Sequence, residues 1–433
     1  MKEMILLGAG ASVEAGVPGA FDMTRKLIEL FGNNPMWSKH SKVLRFAVGG
    51  LLFQQGINGN DPFTGVNVED LFNAIQLLAG RQELEAAPFI GSWHPLVEGL
   101  DRINPKKTDL RRLQEVIYKS VTETMLEAYP TSYASSTAKE IDRTIEVMSK
   151  GGKPSKKLGQ LLIEMMKSPF EKLKTKRPRY DSQFNSEFSK IAESNERPGE
   201  GQVFQETTEI MTQLLAEIVW LEDTSKVCYL LPLFYGAGEK PLTIATLNYD
   251  NAIELAAASA NIPIEIGIEG WSQSGQFPQV EKGIQLLKLH GSIDWSVEQG
   301  FCTIERPLPH QITKKVSAER IKEIGFKPAV IFGQRNKLTA KGPFLDLLRT
   351  FEQELDDSDR LTVIGYSFRD EHINEFIAKW LNEDQNRKLR IINGKRFKDT
   401  NIPFARIMLN VLGERLDVIP SYAKDGIKAC FAQ

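Results

Sequence analysis

Hydrophobic positions along the chain fall into two textures. From Leu242 onward, short apolar runs alternate with amphipathic segments. Leu242 to Thr246, Ile284 to Leu289, Ala329 to Phe332, Leu361 to Ile364 and Leu389 to Ile392 read as strands. Asn251 to Ala258, Phe344 to Leu355 and Glu371 to Leu381 read as helices. Apolar strands that alternate with helices predict a parallel sheet covered on both faces. Lys2 to Leu7 is another apolar strand, followed by an amphipathic helix from Phe21 to Phe31. It must join the same sheet, because a lone strand and helix cannot bury their faces.

Between Asn33 and about Lys240 the periodicity is mainly helical. Val68 to Leu78, Leu110 to Leu126 and Ile210 to Leu221 carry apolar residues at three- and four-residue spacings, a pattern of core-facing stripes. Beyond Pro403 a helix and a strand, Leu416 to Ile419, are expected. The fold class predicted is α/β: a doubly wound parallel, Rossmann-like sheet with a large helical insertion. Residues 1–32 and 241–400 make the sheet domain, 33–240 the insertion, and 401–433 a C-terminal helix and strand extension. Such an excursion is tolerable because the cost of closing a loop grows slowly with its length.

Charge and composition change this picture little. The formal net charge is -2 over 433 residues, so direct nucleic-acid binding is not expected. One segment departs from the average: between Lys150 and Tyr180 there are ten Lys or Arg against two acidic residues, broken by Gly and Pro. It reads as a solvated surface or as a contact for an acidic partner or nucleic acid. No apolar run reaches the ~20 residues that cross a bilayer, and no leader pattern opens the chain, so a soluble cytoplasmic protein without membrane contact is expected. Cys228, Cys302 and Cys430 are far apart and form no Cys-x-x-Cys pair, which argues against structural zinc.

The candidate chemistry sits where the strands should end. The first strand runs into Gly8-Ala9-Gly10-Ala11-Ser12, a Gly-x-Gly turn of the kind that brings backbone donors against a pyrophosphate. The dehydrogenase fingerprint is incomplete, since its third glycine is Val13 and no acidic residue ends a second strand about twenty residues on. Three further motifs follow later strands: Thr246-Leu247-Asn248-Tyr249-Asp250, Lys288-Leu289-His290-Gly291-Ser292 and Ile364-Gly365-Tyr366-Ser367. In open α/β sheets ligands bind at such carboxyl ends, so all four are expected to face one crevice. Taken singly, Asn248 also reads as a helix cap, His290 as a buried hydrogen-bonded histidine and Gly365 as the close of a strand.

In combination and in order, these motifs resemble the sirtuin superfamily. Gly8 to Ser12 is similar to its Gly-Ala-Gly-x-Ser loop, Ala15-Gly16-Val17-Pro18 to its Ala-Gly-Ile-Pro, Thr246 to Asp250 to its Thr-x-Asn-x-Asp, His290-Gly291 to its His-Gly pair, and Gly365-Tyr366-Ser367 to its Gly-Thr-Ser. The strings LNYDNAIE, LKLHGSIDW and VIGYSFRDEHIN look like those of bacterial sirtuin-like NAD hydrolases of antiphage defence. The zinc-holding cysteine pairs of the deacylases are lacking. So is their acidic residue after the proline, where Gly19-Ala20-Phe21 stands and Asp22 is the nearest carboxylate.

The resemblance implies a hydrolase that cleaves NAD to nicotinamide and ADP-ribose, with NAD as substrate and no metal expected. Asn248 and His290 are its implied catalytic residues. Its implied NAD-binding residues are Gly8, Ala9, Gly10, Ala11, Ser12, Pro18, Asp250, Gly291, Gly365, Tyr366 and Ser367. Asp250 either orients the ribose or caps its helix. A zinc-free deacylase or ADP-ribosyltransferase, and a non-catalytic sensor of NAD or ADP-ribose, are the alternatives. A homo-oligomer is expected from the many amphipathic stripes, and a HerA-type ATPase partner from the related defence systems.

Overall fold

The structure is a computed structural model and describes residues 2–59, 61, 65–84, 97, 201–236, 241–278, 280–300, 311–321, 326, 328–331 and 342–431. The stripe at Leu110 to Leu126 and the basic segment at Lys150 to Tyr180 lie outside the described residues. The chain divides into two compact units, residues 1–77 with 206–433, and residues 78–205. In the second unit, the turn Arg81–Glu83 sets the Arg81 guanidinium over the Phe204 ring at 5.7 Å.

The first unit is built on a seven-stranded sheet. Its strands are β1 (Glu3–Leu7), β2 (Leu242–Thr246), β3 (Ile264–Glu265), β4 (Ile284–Lys288), β8 (Arg360–Ile364), β9 (Lys388–Asn393) and β10 (Leu416–Pro420). They pair in the order β10-β9-β8-β1-β2-β4-β3, all parallel. The strands β1, β2 and β4 are buried almost throughout, as an unbroken apolar run on a doubly covered sheet requires. β10, from the stretch read as an extension, forms one edge of the sheet.

Helices cover the sheet with the apolar stripes that their sequences show. Phe344–Asp356 turns Leu347, Leu348, Phe351 and Leu355 inward, and Glu371–Glu383 turns Ile373, Ile377, Trp380 and Leu381 inward. Phe351 and Phe376 meet edge to face at 5.9 Å between these two helices. Ala20–Asn33 buries Met23, Leu27 and Phe31, and Ser38–Ile57, Val68–Ala79 and Gln202–Val219 continue the helical block. Within this unit, buried His40 lies 2.9 Å through Nδ1 from Thr207 Oγ1, so the helix Ser38–Ile57 is tied to residues that follow the second unit.

One strand expectation is corrected. The apolar run Ala329 to Phe332 reads as a strand of the parallel sheet. The structure instead has β7 (Pro328–Val330) in a separate antiparallel sheet of order β6-β5-β7, with β5 (Gly291–Gln299) and β6 (Gln311–Lys315). The reason lies at Gly291, whose φ of +83° turns the chain out of the parallel sheet directly after β4. A Cβ at Gly291 would collide with the Ala329 carbonyl, so the approach of β7 also depends on glycine.

Candidate active site

Sheet register brings the motifs together. Leu7 pairs with Thr246 on one side and Ile364 on the other, and Thr246 pairs with Lys288. Ile364, Leu7, Thr246 and Lys288 therefore form a row across four adjacent strands, and each motif begins just beyond it. The chain travels outward from β1 through β2 and β4, then returns to β8 and runs the other way through β9 and β10. The strand order thus reverses between β1 and β8, the switch point at which open α/β sheets hold ligands. Gly8–Ser12 and Gly365–Ser367 flank that point.

The glycines serve first to let these two loops touch. A Cβ on Gly10 would lie 2.8 Å from Gly365 Cα and 2.9 Å from its carbonyl oxygen, and one on Gly8 would lie 2.6 Å from Tyr366 Cα. Gly365 has a φ of +64°, open to glycine at no steric cost. The turn differs from a helix start with free donors. Gly8 and Gly10 amides donate to Ile364 and Gly365 carbonyls, and those of Ala11 and Ser12 donate back to Gly8 and Ala9. Two short turns, Ala9–Ala11 and Val13–Ala15, come next, and the α-helix begins only at Ala20, after half-buried Pro18 and Gly19. Asp22 is exposed and pairs with Arg25 at 2.8 Å.

Asn248 is buried at 8% exposure and does not cap its helix. Its Nδ2 donates to Gly8 O and to Ser12 Oγ, both at 3.0 Å. A carbonyl oxygen can only accept, so Gly8 fixes the amide's orientation. Asn248 Oδ1, which makes no hydrogen bond among the described residues, is left as a free acceptor. Asp250 Oδ1 accepts the Ala252 amide at 3.0 Å and so stabilises the start of the helix Ala252–Ser259. Burial pushes the Asp250 carboxyl above its ordinary 3.8, against the opposing pull of the Lys288 ammonium, the Ala252 amide and the Ser12 hydroxyl. Ala11, Ser12, Thr246, Asn248, Asp250 and Glu254 line a crevice at these strand ends.

His290 lies one strand over, 5% exposed. Its Nε2 is 3.0 Å from Asp370 Oδ2, and its Nδ1 is enclosed with no hydrogen-bond partner among the described residues. The ring centroid is 6.2 Å from that of Tyr249. His290 and the 365–367 turn are not among the described residues that line the crevice, so the four motifs share a row of strand ends but not one lining. Tyr366 is buried, its hydroxyl accepting the Asp370 amide at 3.1 Å and lying 3.1 Å from Asn374 Oδ1, whereas Ser367 beside it is exposed.

Residues 242–401 match the family model of the SIR2-like domain. The match supports the sirtuin-like superfamily for this segment, and a SIR2-like domain implies binding or use of NAD. It takes in β2, β4, β8 and β9 with Asn248, Asp250, His290, Gly291 and the 365–367 turn. No curated protein matches the chain.

Three residues that matter to this site, Lys288, Tyr229 and Asp370, were given no role by sequence reasoning. Lys288 closes β4 fully buried, its Nζ donating to Asp250 O and Glu254 Oε1 at 2.6 Å each. Burial alone would lower its pKa, but the carboxylates of Glu254, Asp294 and Asp250 hold it above 10.5. The only signal was a charged residue at the end of an apolar strand, which ordinarily marks an exit to solvent. Tyr229 donates to Ala11 O at 2.5 Å from a stretch without any motif. Asp370 caps the helix Glu371–Glu383, and Asp before an amphipathic run is a legible cap signal. Its reach to His290 is not legible in sequence.

Proposed function

We propose that the chain is an NAD hydrolase that releases nicotinamide and ADP-ribose. The observation that carries this reading is the pairing, on neighbouring strand ends beside the switch point, of a fixed amide acceptor with an imidazole whose one ring nitrogen is buried and unpaired. A buried acceptor without a partner costs about 1–3 kcal/mol, a cost that suits a group whose partner arrives with substrate.

The chemistry asks for little else. The bond between ribose C1′ and the nicotinamide nitrogen breaks with its electron pair going to the nitrogen, so the cationic ring leaves neutral and needs no general acid. The sugar left behind is oxocarbenium-like. Asn248 Oδ1 presents the negative end of a dipole to that positive charge, and can accept from the attacking water or a ribose hydroxyl. Water oxygen then bonds to C1′, and His290 Nδ1 takes the proton. Gly8–Ser12 and exposed Ser367 would bound the phosphates and adenosine. Asp250 serves its helix and the Lys288 network, which favours the capping reading over a ribose contact.

Purified chain incubated with NAD tests the reading by the release of nicotinamide and ADP-ribose in equal amounts. Release that appears only with an acetyl-lysine peptide would support a deacylase instead, and NAD binding without release in every condition would support a sensor. As an antiphage effector the chain would lower cellular NAD on infection, and an unrestrained hydrolase would harm its own cell. We propose that self-association and a HerA-type ATPase partner restrain it; if no such ATPase is encoded nearby, or none co-purifies on co-expression, control lies elsewhere.

A further inference from the structure

We propose that Asp370 is a positioning residue for His290: it holds the imidazole as the Nε2–H tautomer and thereby keeps Nδ1 as the proton acceptor. The inference deepens the hydrolase reading and rests on it for its kinetic part.

The carboxylate has two oxygens with two duties. Oδ1 accepts the amides of His372 at 3.1 Å and Ile373 at 3.4 Å, as the N-cap of the helix Glu371–Glu383. Oδ2 is turned to His290 Nε2 at 3.0 Å. Both side chains are only 6% exposed, so water does not compete for the contact. An ionised carboxylate accepts and does not donate. Nε2 must then carry the hydrogen, and in the neutral ring the lone pair falls to Nδ1, the atom enclosed without a partner.

The turn before Asp370 is built to hold it still. Phe368 has a φ of +59°, a conformation that is strained for a non-glycine residue and persists only where its surroundings impose it. Here its ring is buried against Tyr366, Phe397 and Phe404 at 4.7, 5.7 and 6.1 Å, and its carbonyl accepts Asn374 Nδ2 at 2.9 Å. The Asp370 amide donates to the Tyr366 hydroxyl, and its carbonyl accepts the Asn374 amide at 3.0 Å. A plain helix cap needs none of this, since solvent-exposed aspartates cap helices without a buried turn or a histidine partner.

The discriminating variant is Asp370→Asn. An asparagine keeps an acceptor for the two helix amides, but against His290 it can turn only its NH2 while doing so. Nε2 must then accept and Nδ1 carry the hydrogen, which removes the base. In the full chain labelled with 15N-histidine, with His290→Gln to assign the resonance among the five histidines, the neutral wild-type ring should show a protonated Nε2 and a pyridine-type Nδ1. Asp370→Asn should reverse the pattern. With NAD as substrate, Asp370→Asn should lower kcat about a hundredfold or more while KM stays within about threefold. Its Tm should stay within a few degrees of wild type, and Asp370→Asn combined with His290→Ala should be no slower than His290→Ala alone. A wild-type ring protonated on Nδ1, an unchanged kcat in Asp370→Asn, or multiplying losses in the double variant would each overturn the assignment. If wild type releases no nicotinamide at all, the hydrolase reading falls, and the 15N spectrum still decides whether Asp370 sets the tautomer.

Discussion

At the scale of single residues, the tertiary structure narrows what each candidate can do. As a residue type, Asn248 offers a donor and an acceptor, but Gly8 and Ser12 consume its donors and leave Oδ1. Asn248→Ala should therefore lower nicotinamide release about a hundredfold. It should also lose about 1 kcal/mol of stability, because two buried hydrogen bonds, to Gly8 O and Ser12 Oγ, are lost while the Gly8 carbonyl keeps the Ala11 amide. His290→Ala should show the same kinetic loss. Retained turnover in either variant, measured by nicotinamide release, would remove that residue from the mechanism. Gly10 has a different fate from that of a bare phosphate cradle. Gly10→Val drives a side chain into the Gly365 backbone, which cannot move aside as a flexible side chain could. Thermal melts should show a loss of about 1–3 kcal/mol or more, together with weaker NAD binding. A variant as stable as wild type would mean that the two loops do not pack in solution as they do here.

At the scale of elements, β4 and the helix Ala252–Ser259 are joined by a buried ion pair at the site's floor. Lys288 Nζ and Glu254 Oε1 are 2.6 Å apart, with Lys288 fully buried and the Glu254 side chain at 11% exposure. Lys288→Met leaves the largely buried Glu254 carboxylate without its ammonium partner, and should cost about 3 kcal/mol by urea denaturation. Adding Glu254→Gln should recover part of that. The pH dependence has a definite sign. The folded-state pKa of Lys288 is raised above 10.5, so its stabilisation is complete below that value and is lost as pH rises through the folded-state pKa. The stability gap between wild type and Lys288→Met should therefore be constant at neutral pH and shrink only in the alkaline limb. A gap that shrinks between pH 6 and 8 would point to another titrating group.

At the scale of the whole molecule, no described helix is long and apolar enough to cross a membrane, and among the described residues some large apolar side chains are exposed. Phe53 and Ile57, one turn apart on the helix Ser38–Ile57, are 71% and 69% exposed. We propose that they meet another copy of the chain, because neighbouring exposed apolar side chains gain by being covered. Light scattering at micromolar concentration should report a homo-oligomer, and Phe53→Glu with Ile57→Glu should reduce its mass. A monomeric wild-type chain would sink the proposal.

Much of this architecture was legible in the hydrophobic pattern, because a doubly covered parallel strand must be apolar on both faces and a covering helix must carry one stripe. The observed β1, β2, β4, β8, β9 and β10 fall within a residue or two of the runs read for them. So do the helices from Phe344 and Glu371. β5 escaped, although Ile293, Trp295 and Val297 alternate in it, because its length was masked by the motif before it. β3 is only two residues long and carries no pattern to read. At the site, residue order located Gly8–Ser12, Asn248, His290 and Gly365–Ser367 at strand ends, since a strand end is a local property. Tertiary structure alone decided which atoms meet. Asn248 faces Gly8 across 240 residues, and His290 faces Asp370 across 80. Such pairings follow from register and loop packing, and the hydrogen-bonding direction of an amide or the tautomer of an imidazole is set by the partner that packing delivers.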